Sequence, residues 1–224
     1  MKRLAVQVIM CWAALAVGVL AARVAVAQTV SAPVAATAQP AASAKPGAAK
    51  PHDAKASPLI GLFKDLCGSD LQDVAAMKAK AKRLGWATVA DTAHAELASM
   101  LKISRSTPVE KTHLQAYART LDGQRYFAVL SGVKARDITA HGCYVYDFAA
   151  SDAKPLAAKP LTAWLGAKPR SAVFKDGTAT RVWHLPPNLF GYAKVLGGFF
   201  PAGSAAAKKV GFDGATLGAT FVVK

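Results

Sequence analysis

Three Asp-Gly dipeptides, Asp122-Gly123, Asp176-Gly177 and Asp213-Gly214, do most to limit what this chain can fold into. A tight type I′ hairpin needs positive φ at both central residues, and Asp-Gly supplies this at low steric cost. The flanking segments suit strands. Thr112–Thr120 and Arg125–Val133 surround the first turn, and the aromatic, β-branched run Gly142–Phe148 predicts a third strand. Ala172–Lys175 and Thr180–Leu185 surround the second turn, and Pro186-Pro187 stops the hairpin. Lys208–Phe212 and Leu217–Val223 surround the third. The apolar run Leu189–Phe200, LFGYAKVLGGFF, fits a buried strand bent at Gly197-Gly198. The other reading is an exposed loop that touches lipid or ligand.

Upstream the period changes to that of helices. In CGSDLQDVAAMKAKAKRLGW, Cys67 to Trp86, Ser69 and Gln72 fit a capping box. Asp70 and Asp73 then lie in the first turn and Lys80, Lys82 and Arg83 in the last, each sign where the helix dipole favours it. Leu71, Val74, Ala75, Met77, Ala81 and Leu84 share one face. Gly85 is placed for a left-handed C′ residue, with Trp86 folding back over Ala81 in a Schellman ending. Leu59–Leu66 predicts a short helical turn, Thr92–Lys102 a second helix with Leu97 and Leu101 inward, and Pro160–Leu165 a short helix ended by Gly166. The predicted fold is α+β: an antiparallel sheet of six or seven short strands built from hairpins. The Ser69–Leu84 helix and one or two shorter helices cover one face.

The N-terminus has the pattern of an export signal. Met1-Lys2-Arg3 is positive, Leu4–Ala22 is apolar apart from Gln7, and Ala25-Val26-Ala27 offers small residues for cleavage before Gln28. The alternative is an uncleaved anchor over residues 4–22, close to the ~20 residues a spanning helix needs. Residues 28–58 are mostly Ala, Pro, Lys and Ser, too poor in large apolar side chains to offset their ordering entropy, and predict a disordered tether. Residues 59–224 suit a single domain. Cleavage removes Cys11 and leaves Cys67 and Cys143, which in an exported protein are expected to pair. With no CxxC and no compact Cys/His cluster, neither a metal site nor a cofactor is expected.

The chain carries a formal charge of +15, and residues 59–224 hold 22 basic against 12 acidic side chains, a net of +10. Such a charge attracts anionic partners and says nothing of fold. In an envelope those partners are anionic lipid, acidic glycan or an envelope protein, before nucleic acid. Lys78, Lys80, Lys82 and Arg83 cluster on the predicted helix and form the candidate binding patch. Arg119, Arg125, Lys134 and Arg136 follow, with Tyr117, Tyr126 and Tyr144 in the same predicted sheet. A merely solvating charged face is the other reading. Catalytic motifs are missing: there is no GxSxG, HExxH, Walker loop or GxGxxG after a strand. His141 and Cys143 would share a strand face, but a Cys143 held in a disulfide is no nucleophile.

Cys67, the capped helix, Gly85-Trp86, Cys143 in a strand and Trp164-Leu165-Gly166 together resemble small exported proteins of proteobacteria. The resemblance implies the compartment and the α+β layout, and no activity. Two functional readings follow from the residues. One is a non-enzymatic periplasmic or envelope module that binds an anionic component or partner protein. The other is a periplasmic hydrolase with a dispersed site.

Overall fold

The computed structural model describes residues 57–135, 138–185 and 194–223. Their framework is one antiparallel sheet of eight strands in the order β1-β2-β3-β4-β8-β7-β6-β5. The strands are β1 (Ala87–Thr88), β2 (Glu110–Leu121), β3 (Gln124–Ala135), β4 (Ile138–Asp147), β5 (Arg170–Val173), β6 (Ala179–His184), β7 (Lys194–Phe200) and β8 (Gly214–Val223). Two meanders thus lie side by side, joined where β4 pairs with β8 from Thr139↔Val223 to Asp147↔Ala215. The six or seven strands expected become eight, because β1, a two-residue edge, has no periodicity to betray it. Both edges are short; all four residues of β5 are exposed, which blunts the sheet against pairing with other chains.

Of the three Asp-Gly dipeptides only the first forms the expected I′ turn, since neither Asp176 nor Asp213 has positive φ. Asp122 and Gly123 have φ of 51° and 77°, the double positive pair of a I′ turn. The third Asp-Gly does not join two strands. Of residues 208–212, expected as a strand, Lys208–Val210 belong instead to a helix, Ala205–Val210, capped by Ser204 Oγ accepting from the Ala207 N–H and ended by Gly211 at φ 83°. The apolar run resolves as the buried strand for Lys194–Phe200, while residues 189–193 lie outside the described set.

Five α-helices are described: α1 (Pro58–Cys67), α2 (Val74–Arg83), α3 (Ala95–Ser106), α4 (Ala158–Leu165) and α5 (Ala205–Val210). The largest correction concerns the Ser69–Leu84 helix. It begins only at Val74, because Asp73, not Ser69, is the N-cap; its carboxylate accepts from the Ala75 and Ala76 N–H groups at 2.8 and 3.1 Å. Asp70 sits at φ 66°, a left-handed conformation that no helix interior allows, so the Ser69/Gln72 capping box does not form. The C-terminus is the Schellman motif expected. Trp86 N–H donates to Ala81 C=O and Gly85 N–H to Lys82 C=O, with Gly85 at φ 77°.

Coverage is the second correction: both faces of the sheet are packed. One face carries Tyr117, Tyr126, Leu130, Cys143, Val145, Trp183, Leu217 and Phe221 in a single core with α1, α2 and α4. Here α1 is the main cover, burying Leu59, Leu62, Phe63 and Leu66. The other face carries Phe127, Val129, Tyr144, Tyr146, Leu196 and Phe200 with α3, α5 and Phe212. Strand alternation delivers the two sets to opposite sides. Glycines let rings lie flat on this second face: a Cβ at Gly218 would stand 2.2 Å from the Tyr144 ring. Cys67, the last residue of α1, is bonded to Cys143 of β4 with Cα atoms 5.6 Å apart. Among the described residues no helix is long and apolar enough to cross a membrane.

Candidate functional site

Helix α2 is held by Met77 and Ala81, both fully buried, with Val74 and Leu84 half-buried beside them. The opposite side of the cylinder is left to solvent, and the four basic residues divide there into two kinds. Lys78, Lys82 and Arg83 are exposed and, among the described residues, form no ion pair. Lys80 is different. Its side chain is 12% exposed, its ammonium lies 3.4 Å from an Asp70 carboxylate oxygen, and it donates to Ser69 Oγ at 2.7 Å. Ser69 Oγ in turn donates to Asp70 at 2.7 Å. That hydroxyl, with Lys80 and Arg83 adding, holds the Asp70 carboxyl below its usual value. Lys80 therefore ties residues 69–70 to the helix, and the open cationic face is Lys78, Lys82 and Arg83.

Lys78 and Lys82 stand four apart, so like charges face one another along the helix. Such a pair costs roughly 0.2–0.5 kcal/mol in an isolated helix. No carboxylate among the described residues offsets it. The further basic and aromatic residues do not extend this surface as one patch. Tyr117 and Tyr126 are buried on the same sheet face as α2, and Tyr144 is buried on the other. Burial pushes the Tyr126 hydroxyl up to about 12, with Asp147 and Asp122 adding. Arg125 lies over the Phe127 ring, 4.9 Å from its centroid, on the face opposite α2. Arg136 lies outside the described residues.

A cavity of about 60 Å³ opens between α3 and α5, lined by Met100, Ser104, Tyr144, Phe200, Phe212 and Thr216 among others. Sites for drug-sized ligands measure roughly 300–1,000 Å³, so this one has room for a few waters at most. Its lining is largely apolar and includes no carboxylate, imidazole or thiol. His141 and Cys143 do share a strand face, with Cys143 consumed in the disulfide. Among the described residues no three or more His, Cys, Asp or Glu side chains converge on one point. Sequence reasoning missed the special role of Lys80, since its partner Asp70 was placed inside the helix rather than in a left-handed turn before it.

No protein family, no curated protein and no solved structure matches this chain, so its function must be argued from its own residues.

Proposed function

We propose that this chain is an exported, non-enzymatic binding module of the cell envelope whose α2 face docks on an anionic component, anionic lipid first. Its leader ends at Ala27, and residues 28–58 tether the binding domain. The observation that carries the reading is the exposed, unpaired trio Lys78, Lys82 and Arg83 on a helix whose far side is anchored in the core. A surface that only needs solubility mixes both signs; this one keeps a like-charge pair that an anion would relieve. The disulfide supports an oxidising compartment. The hydrolase reading has less behind it, because the cavity between α3 and α5 has no carboxylate, imidazole or thiol in its lining to activate a hydroxyl.

Each basic residue at an anionic membrane contributes about 1 kcal/mol, so three give measurable affinity. The triple change Lys78→Gln, Lys82→Gln, Arg83→Gln keeps good helix formers and leaves Lys80 in its structural contact. Co-sedimentation with vesicles of anionic lipid should show binding by the parent, loss in the triple variant, and loss with added salt, since the screening length falls to about 3 Å at 1 M. Equal binding by both proteins, or none by the parent at low salt, rules out α2 as the docking face. N-terminal sequencing of protein from the envelope fraction tests the leader: Gln28 is expected first, and a retained Met1 means an anchor.

A further inference from the structure

His113 of β2 and His141 of β4 are both registered against Gly132 of β3, so one row across three strands reads His-Gly-His on the face that carries α2. The glycine is required by contact. A Cβ at position 132 would stand 2.2 Å from His113 Cε1 and 2.3 Å from His113 Nδ1. The His113 ring therefore leans over β3, and its centroid comes within 5.6 Å of the His141 centroid with the ring planes at 81°. Two ring nitrogens, His113 Nε2 and His141 Nδ1, are buried without a hydrogen-bond partner among the described residues. Leaving such a buried polar atom unsatisfied costs roughly 1–3 kcal/mol. Two orphans on neighbouring rings point to something that would satisfy both.

We propose that His113 and His141 form a two-imidazole site for a borderline divalent metal ion, copper(II) ahead of zinc(II). With metal–nitrogen bonds near 2.0–2.1 Å, two imidazoles on one ion have centroids roughly 4.5 Å apart when cis and roughly 6.4 Å when trans, a span that includes the spacing seen. The second shell also fits. Thr112 Oγ1 lies 3.3 Å from His113 Nδ1 and the Ser131 carbonyl also accepts from this ring; with Nε2 unpartnered, the proton falls to Nδ1 and the Nε2 lone pair is the donor. Imidazole suits copper and zinc, and the order of divalent affinities puts copper first. Water fills the remaining positions. Lys78, whose charge is felt at His113, opposes a cation, so the site is weaker with that lysine than without it.

The full chain with its disulfide intact is titrated with copper(II) and with zinc(II), and the copper form is examined by electron paramagnetic resonance. One equivalent of copper with splitting from two nitrogens is expected. His113→Gln and His141→Asn should each abolish that signature. Thr112→Val should weaken binding about tenfold, and Lys78→Gln should tighten it. If a histidine variant fails to fold, the Lys78 and Thr112 variants decide alone: opposite shifts support the site, and unchanged affinity in both overturns it. No binding by the parent, or copper retained in both histidine variants, also overturns it; the first means that water satisfies the pair. The outcome is independent of vesicle binding, since the site does not require the α2 docking surface.

Discussion

Asp147 ends β4 with its carboxylate only 7% exposed, accepting from Gln124 Nε2 at 2.9 Å and from the Ala149 N–H at 3.2 Å. Burial raises its pKa, and those hydrogen bonds oppose the rise without cancelling it. A carboxyl whose folded value lies above its unfolded one favours the folded state most when protonated. Its contribution is lost as pH rises through the folded value. Asp147→Asn keeps an acceptor for both donors and removes the buried charge. The variant is therefore expected to be more stable than the parent at pH 7, with the gap closing toward about pH 3, where the parent carboxyl is protonated too. Thermal melts at both pH values check it; a parent as stable as the variant at pH 7 contradicts the burial argument.

Helix α2 owes its start to Asp73 and its end to Gly85. Removing a capping side chain costs about 1 kcal/mol, so Asp73→Ala should lower the unfolding free energy by that much, read as a lower urea midpoint. Ser69→Ala should spare the helix and loosen Lys80, leaving it only the 3.4 Å pair with Asp70 so that its ammonium can swing toward Lys78, Lys82 and Arg83. Stronger vesicle binding by the Ser69 variant, with an unchanged midpoint, is the expected sign. A Ser69 variant that loses more stability than the Asp73 variant would restore the capping box in place of the Asp73 cap. The exchange of caps has a plain cause. Ser, Asp and Asn are all good N-caps, and SDLQD offers Ser69, Asp70 and Asp73 within five residues. Burial of Leu71 at 3% exposure, ahead of the helix, is what selects the last of them.

Across the molecule, the Cys67–Cys143 bond joins α1, the main cover of one face, to a central strand over a sequence separation of 76. A loop of that size gives about 4.5 kcal/mol in the chain-entropy account, an upper figure. Cys67→Ala with Cys143→Ala is expected to lower unfolding stability by 2–4 kcal/mol, near the usual range, while far-UV circular dichroism still reports the sheet. No change in the denaturation midpoint would mean that packing of Leu59, Phe63 and Leu66 alone holds α1 in place.

What the amino-acid sequence determined by itself is local: turn chemistry at Asp122-Gly123, the Schellman ending at Gly85-Trp86, the strand runs on either side of the first turn, and the α+β class. These depend on φ preferences and side-chain period within a few residues. The pairing of Cys67 with Cys143 was also legible, as these are the only cysteines after residue 27. Tertiary structure decided the rest. Residues 208–212 read as a strand until the apolar face of Ala207 and Val210 found α3 and Phe212 to pack on. The coverage of both sheet faces follows from central strands that are apolar on both sides, which one-sided alternation does not announce. The candidate sites lie at this level as well. Lys80 is withdrawn from the basic face by a left-handed Asp70, and His113 meets His141 only because Gly132, between them in the sheet, has no side chain to hold the rings apart. Contacts between residues distant in sequence are set by register and packing, and no local period encodes them.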